Sequence, residues 1–99
     1  MKIYISGKIT GLPIKAVTKK FKETQNILES KGFQVVNPFE LNKNIKKSMP
    51  IWNDYMINDI SYLFDCDAIY MIENWGQSKG SRIEYAIAKE LNLKIYFAE

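Results

Sequence analysis

At 99 residues the chain is long enough for one domain with a real core and too short for two. Apolar residues make up 46% and charged residues 25%, the balance of a soluble globular protein, and no apolar run nears the roughly 20 residues of a membrane helix. With no histidine and a single cysteine, Cys66, an internal disulfide, serine–histidine or cysteine–histidine catalysis and the usual zinc and iron–sulfur sites are excluded. One unpaired cysteine fits a reducing cytoplasm.

The net charge of +3 conceals an asymmetry. Ten lysines and three acids fall in residues 1–47, against four basic residues and eight acids in 48–99. Solvated helix and loop surfaces account for most such lysines. Clustered basic residues with interleaved aromatics are absent, so a nucleic-acid polymer is not expected as partner, whereas a small anionic ligand is compatible.

In chain order, Ile3-Tyr4-Ile5 predicts a first strand ending at Ser6-Gly7. Pro13 suits a helix start, Val17, Phe21, Thr24 and Leu28 recur at helical spacing, and Gly32 supplies the stop. Residues 33–36 predict a second strand closed by Asn37-Pro38. Residues 39–50, polar and rich in Lys and Asn, read as a long loop holding at most one helical turn. A second helix is predicted from about Ile51 to Phe64, a third strand over 68–72, a loop over 73–79, a third helix over 80–92 and a last strand over 94–97. Strands alternating with helices, and apolar enough to be buried on both faces, predict an open parallel α/β sheet of order 2-1-3-4 with helices on both faces, in one domain spanning 1–99. Ligands on such sheets bind beyond the carboxyl ends of the strands where the order reverses, here beside the loops Ser6–Leu12 and Glu73–Gly80.

Two carboxylates stand out. The run Ser78-Lys79-Gly80-Ser81-Arg82-Ile83-Glu84 joins a strand to a helix start, where free N–H groups suit an anion and small residues allow close approach. Glu84 lies one turn inside, either beside a ligand or as a first-turn acid favoured by the helix dipole. Asp59 falls near the centre of an apolar stripe formed by Trp52, Tyr55, Met56, Ile60 and Leu63. An inward carboxylate there either anchors a loop or acts as an acid or base tuned by burial. Trp75 could stack on a nucleobase or pack within the protein. Tyr4 reads as core unless its hydroxyl reaches the crevice, and Ser6-Gly7-Lys8 is an anion-binding signal of low specificity. Asp65 and Asp67 look like turn and capping residues.

Three segments in order, Ile3-Tyr4-Ile5-Ser6-Gly7-Lys8-Ile9-Thr10-Gly11, Asn58-Asp59-Ile60 with Asp67-Ala68-Ile69, and Ser78-x-Gly80-x-x-x-Glu84, resemble the nucleoside 2-deoxyribosyltransferase superfamily, which includes 2'-deoxynucleoside 5'-phosphate N-hydrolases. The resemblance implies Glu84 as the nucleophile at C1', Asp59 as the group that handles the leaving base, and Tyr4 beside the nucleophile. It places Ser78 at the 5'-phosphate, and with the loops read above the expected substrate-binding set is Ser6, Gly7, Lys8, Ile9, Trp75, Ser78, Gly80 and Ser81. Thr10 stands where the hydrolase branch has an arginine, leaving Lys8, Lys79 and Arg82 as candidate replacements. The roles so implied need no metal or organic cofactor, and the resemblance implies a homo-oligomer in which a neighbour helps to complete the site. The leading expectation is thus an N-glycosidase, hydrolase or transferase, acting on a (deoxy)nucleoside 5'-monophosphate. Its alternatives are a non-catalytic nucleotide-binding module using the same crevice, and an interaction protein using the lysine-rich loop.

Overall fold

A computed structural model describes residues 1–98, the side chain of residue 44 excepted. Four parallel strands, β1 (Lys2–Ser6), β2 (Gln34–Val36), β3 (Ala68–Met71) and β4 (Lys94–Phe97), form one sheet in the order β2-β1-β3-β4. This is the expected order, and β1 and β3 are its inner pair, in register from Ile3 opposite Ala68 to Ser6 opposite Met71.

The period of two along β1 divides the molecule. Ile3 and Ile5 point to a wholly apolar core with Val17, Phe21 and Leu28 of α1 (Ile14–Ser30), Ala68 and Ile72. Tyr4 and Ser6 point the other way. There Tyr4, Ile69 and Met71 pack with Leu63 of α3 (Trp52–Leu63) and Ala88 of α4 (Lys79–Glu90). One face of the sheet thus carries α1 and the other α3 and α4.

The segment expected as a long loop is more ordered than its composition suggests. A short helix, α2 (Pro38–Leu41), runs into a 3-10 turn at Asn42–Asn44. Asn37 starts it: its side-chain oxygen accepts from the Phe39 N–H at 3.0 Å while its amide donates to the buried Gln25 at 3.1 Å. Pro38 then takes the first helical position, where no N–H is needed. Phe39 meets Phe21 edge to face at 5.1 Å. Asn37-Pro38, read from sequence as a strand terminator, is also a helix start. A second 3-10 turn, Trp75–Gln77, occupies the expected 73–79 loop. Among the described residues no helix is long and apolar enough to cross a membrane.

Candidate active site

Beyond the carboxyl ends of β1 and β3 lies a cavity of about 530 Å³, within the usual range for a small-molecule site. Its walls come from β1 and the following loop, Ile14 and Phe21 of α1, α2 and the adjoining Asn42, α3 and the start of α4. At its inner end lies Glu84, 5% exposed. The alternation of β1 aims two hydroxyls at it: Tyr4 donates to Oε2 at 2.8 Å and Ser6 donates to Oε1 at 2.7 Å. Both oxygens are therefore held, and the carboxylate cannot swing out of register with the strand. A first-turn acid stabilised only by the helix dipole would be solvated; Glu84 is buried among partners from another element.

Asp59 enters the same cavity from α3 and is 6% exposed. Its Oδ1 is buried and has no hydrogen-bond partner. The loop-anchoring role falls to its neighbour instead, since the Asn58 amide donates to the Leu41 carbonyl at 3.3 Å and to the Asn42 side chain at 3.2 Å. Burial pushes Asp59 up to about 7, the nearby Glu84 charge adds to the rise, and Asn42 and Tyr4 oppose it. Burial likewise raises Glu84 to about 7, against the pull of Ser6 and Tyr4 towards its ionised form. The Tyr4 phenol is driven well above its ordinary value by burial and by the adjacent carboxylates, so it remains a donor. Two carboxyls that share a dry site titrate as a pair. Glu84 holds two hydrogen bonds that favour its charge, whereas Asp59 Oδ1 has none, so the geometry favours the proton on Asp59.

The start of α4 carries the rest of the polar wall. Ser78 caps the helix, its Oγ accepting from the Ser81 N–H at 3.1 Å. The Ser81 hydroxyl is buried without a partner and lines the cavity. Gly7 and Gly80 line it too, but the nearest atoms a Cβ would meet at each belong to protein neighbours. A Cβ on Gly7 would lie 2.9 Å from Ile72 Cβ, and one on Gly80 would lie 3.0 Å from Met56 Sδ. Their small size lets β1's loop and α4 pack closely, rather than only admitting a ligand.

Of the residues singled out in sequence, Tyr4, Ser6, Gly7, Ile9, Asp59, Ser78, Gly80, Ser81 and Glu84 converge on this cavity. Trp75 and Lys8 do not. Trp75 packs against Tyr85 and Phe97, with ring centroids 4.7 and 6.1 Å away. Lys8 is held in its loop by a backbone N–H that donates to Asn74 at 3.1 Å, and is not part of the cavity wall. Arg82, a candidate phosphate partner, turns its guanidinium to the Gly76 carbonyl at 2.9 Å, while Lys79 lies over the Trp52 ring, 4.9 Å from its centroid. Conversely Pro38, Phe39, Asn42, Trp52, Tyr55 and Met56 belong to the wall. Asp59 shares a helix face with Trp52, Tyr55 and Met56, which was the available signal; it was legible as a core stripe, not as the side of a cavity.

The parallel sheet of order β2-β1-β3-β4 with its surrounding helices has a counterpart among solved structures. The 2-deoxyribosyltransferase of the psychrotolerant bacterium Bacillus psychrosaccharolyticus, described as a biocatalyst for nucleoside synthesis, superimposes with a TM-score of 0.76 over 98% of this chain and 71% of its own, at 18% identity. The fold of this chain is therefore that of the nucleoside 2-deoxyribosyltransferases. By sequence, the chain belongs to a domain family of unknown function, DUF4406, whose model matches residues 1–97. No curated protein matches it.

Proposed function

We propose that the chain is an N-glycosidase that cleaves, or transfers, the base of a (deoxy)nucleoside or its 5'-monophosphate through a covalent intermediate on Glu84. The observation that carries this reading is that Glu84 and Asp59, both buried, line one cavity and differ in hydrogen bonding. Glu84, its charge supported by Tyr4 and Ser6, is the nucleophile. Asp59, lacking a partner at Oδ1, is the proton carrier.

In the first step a Glu84 oxygen bonds to C1' of the sugar as the C1'–N bond breaks. The bonding pair leaves with the base nitrogen system, which takes the proton from Asp59. In the second step a water, or the nitrogen of an acceptor base, attacks C1' and gives its proton to the Asp59 carboxylate. The C1'–O bond breaks and Glu84 is regenerated as a carboxylate. The oxocarbenium character at C1' is stabilised by the same buried charge that attacks it. A 5'-phosphate would rest on the Ser78 and Ser81 hydroxyls and the free N–H groups at the start of α4.

A binding module without turnover is the second reading. It is favoured by Thr10 lining the cavity, by Arg82 turned to the Gly76 carbonyl and by Lys79 held over the Trp52 ring, which leave phosphate to hydroxyls and backbone. Incubation with 2'-deoxynucleosides and their 5'-monophosphates, followed by chromatography, separates the readings. Release of free base with deoxyribose or deoxyribose 5-phosphate, lost in Glu84→Ala, is the expected result. Intact ligand with a raised Tm would leave only the binding module, and neither effect would remove both.

A further inference from the structure

Two aromatic rings at the cavity's mouth have no part in the chemistry above. Trp52, the first residue of α3, is 39% exposed and Tyr55 is 37% exposed, although both line the cavity. Large aromatic rings left half-open at a concave site lose the burial that normally repays them. The Trp52 ring is nevertheless held. The Lys79 ammonium sits over it at 4.9 Å, linking the start of α3 to the start of α4, and Asp54 fixes the helix start by accepting from the Ile51 N–H at 2.8 Å while pairing with Lys47 at 3.2 Å.

Position along α3 gives the rings a direction. At 1.5 Å of rise per residue, Tyr55 and Trp52 stand roughly 6 and roughly 10 Å from Asp59 along the axis, on the same helical face. The polar end of the cavity, with Tyr4, Ser6 and Glu84, is buried, and the aromatic end opens to solvent. A ligand with a sugar at Glu84 and a leaving nitrogen at Asp59 therefore extends its planar base towards Tyr55 and Trp52.

Resting on the proposed glycosidase or binding reading of this cavity, we infer that Trp52, with Tyr55 behind it, is the stacking wall for the ligand's base, and that Lys79 orients the Trp52 ring for that contact. Trp52 thereby sets preference for a planar heterocycle over other leaving groups. The role expected in sequence for Trp75 belongs to Trp52.

The two tryptophans make the test direct. In Trp75→Phe, Trp52 is the only indole, and its emission is titrated with 2'-deoxyadenosine, with 2'-deoxyadenosine 5'-monophosphate and with deoxyribose 5-phosphate, which has no base. The expected result is saturable quenching by the first two and none by the third. In the natural sequence, Trp52→Leu is expected to weaken binding of the base-bearing ligands, read by thermal shift, about tenfold or more, the usual cost of removing one base–aromatic stack. Lys79→Gln is expected to weaken it by a smaller factor. If a base-bearing ligand raises Tm but leaves Trp52 emission unchanged, and Trp52→Leu binds it equally well, the stacking wall is wrong and the cavity reading stands. If no base-bearing ligand binds, both fall.

Discussion

The two faces of the sheet are built from the same strand and serve opposite ends. On the α1 side, Ile3 and Ile5 meet Val17, Phe21 and Leu28, and the buried core cluster is wholly apolar. On the α3–α4 side, one residue further along, Tyr4 and Ser6 meet Glu84, with Asp59 and Ser81 nearby and each carrying a buried oxygen that lacks a partner. Apolar burial of the first kind stabilises the fold, at roughly 25 cal/mol per Å² removed from water. Buried carboxyls of the second kind cost stability whenever they ionise. One face therefore holds the molecule together while the other is strained electrostatically, and substitutions on the two faces should have opposite signatures.

The largest separation is expected from Glu84→Gln. Loss of the nucleophile should reduce turnover on the order of 10⁴-fold or more, while Tm at pH 8 stays level or rises because a buried charge has been removed. Calorimetry beside a base-release assay checks both halves. A large fall in Tm would mean that Glu84 is a structural anchor.

The mirror experiment is Leu28→Ala. Leu28 is 4% exposed in the apolar core, and its truncation should cost about 2–5 kcal/mol. The urea midpoint should fall with m unchanged, while turnover per folded molecule is retained. A loss of turnover matching that of Glu84→Gln would erase the division between the faces.

The pH dependence of stability sharpens the contrast. Asp59 and Glu84 both rise to about 7 in the folded protein from ordinary values of 3.8 and 4.5. Between about pH 4 and 7 the folded chain thus binds more protons than the unfolded one, and stability falls as pH rises through that window. Glu73, drawn down by Lys20, works in the opposite sense but lies exposed and screened. Asp59→Asn should flatten the profile and be more stable than the natural protein at pH 8 by a few kcal/mol, on the order of three pKa units at 1.36 kcal/mol each. An unchanged Tm–pH curve would show that Asp59 does not ionise in this window.

Periodicity made the fold readable, and it located the two carboxylates for the same reason. An acid on the apolar face of a helix, or beside a strand end, contradicts its surroundings and so announces itself. Periodicity reports which way a side chain points, and not whether core or cavity lies there. Trp52 and Tyr55 therefore read as core although they line open space, and Trp75, in a loop with no period, could not be separated from a ligand contact. Residues 38–44 lacked any apolar repeat, yet Asn37, Pro38 and Phe39 build α2 through one cap and one ring contact. The same alternation that hides Tyr4 among Ile3 and Ile5 also puts its hydroxyl on the Ser6 side.

Tyr4→Phe gives the smallest and most discriminating effect. Tyr4 is fully buried and its hydroxyl donates to Glu84 Oε2 at 2.8 Å. Phenylalanine keeps the ring and its packing, so the change removes one donor from a carboxylate that still accepts from Ser6 at 2.7 Å. A hydrogen bond to a charged group contributes about 1.5–3 kcal/mol, equivalent to roughly one to two pKa units. Because the hydroxyl favours ionised Glu84, its loss should move the acidic limb of the rate–pH profile upward by that amount. Turnover should fall most below pH 7 and recover at higher pH. A uniform loss with the limb unmoved would place the phenol on the substrate itself, making the α3–α4 face a site in which Tyr4 binds rather than tunes.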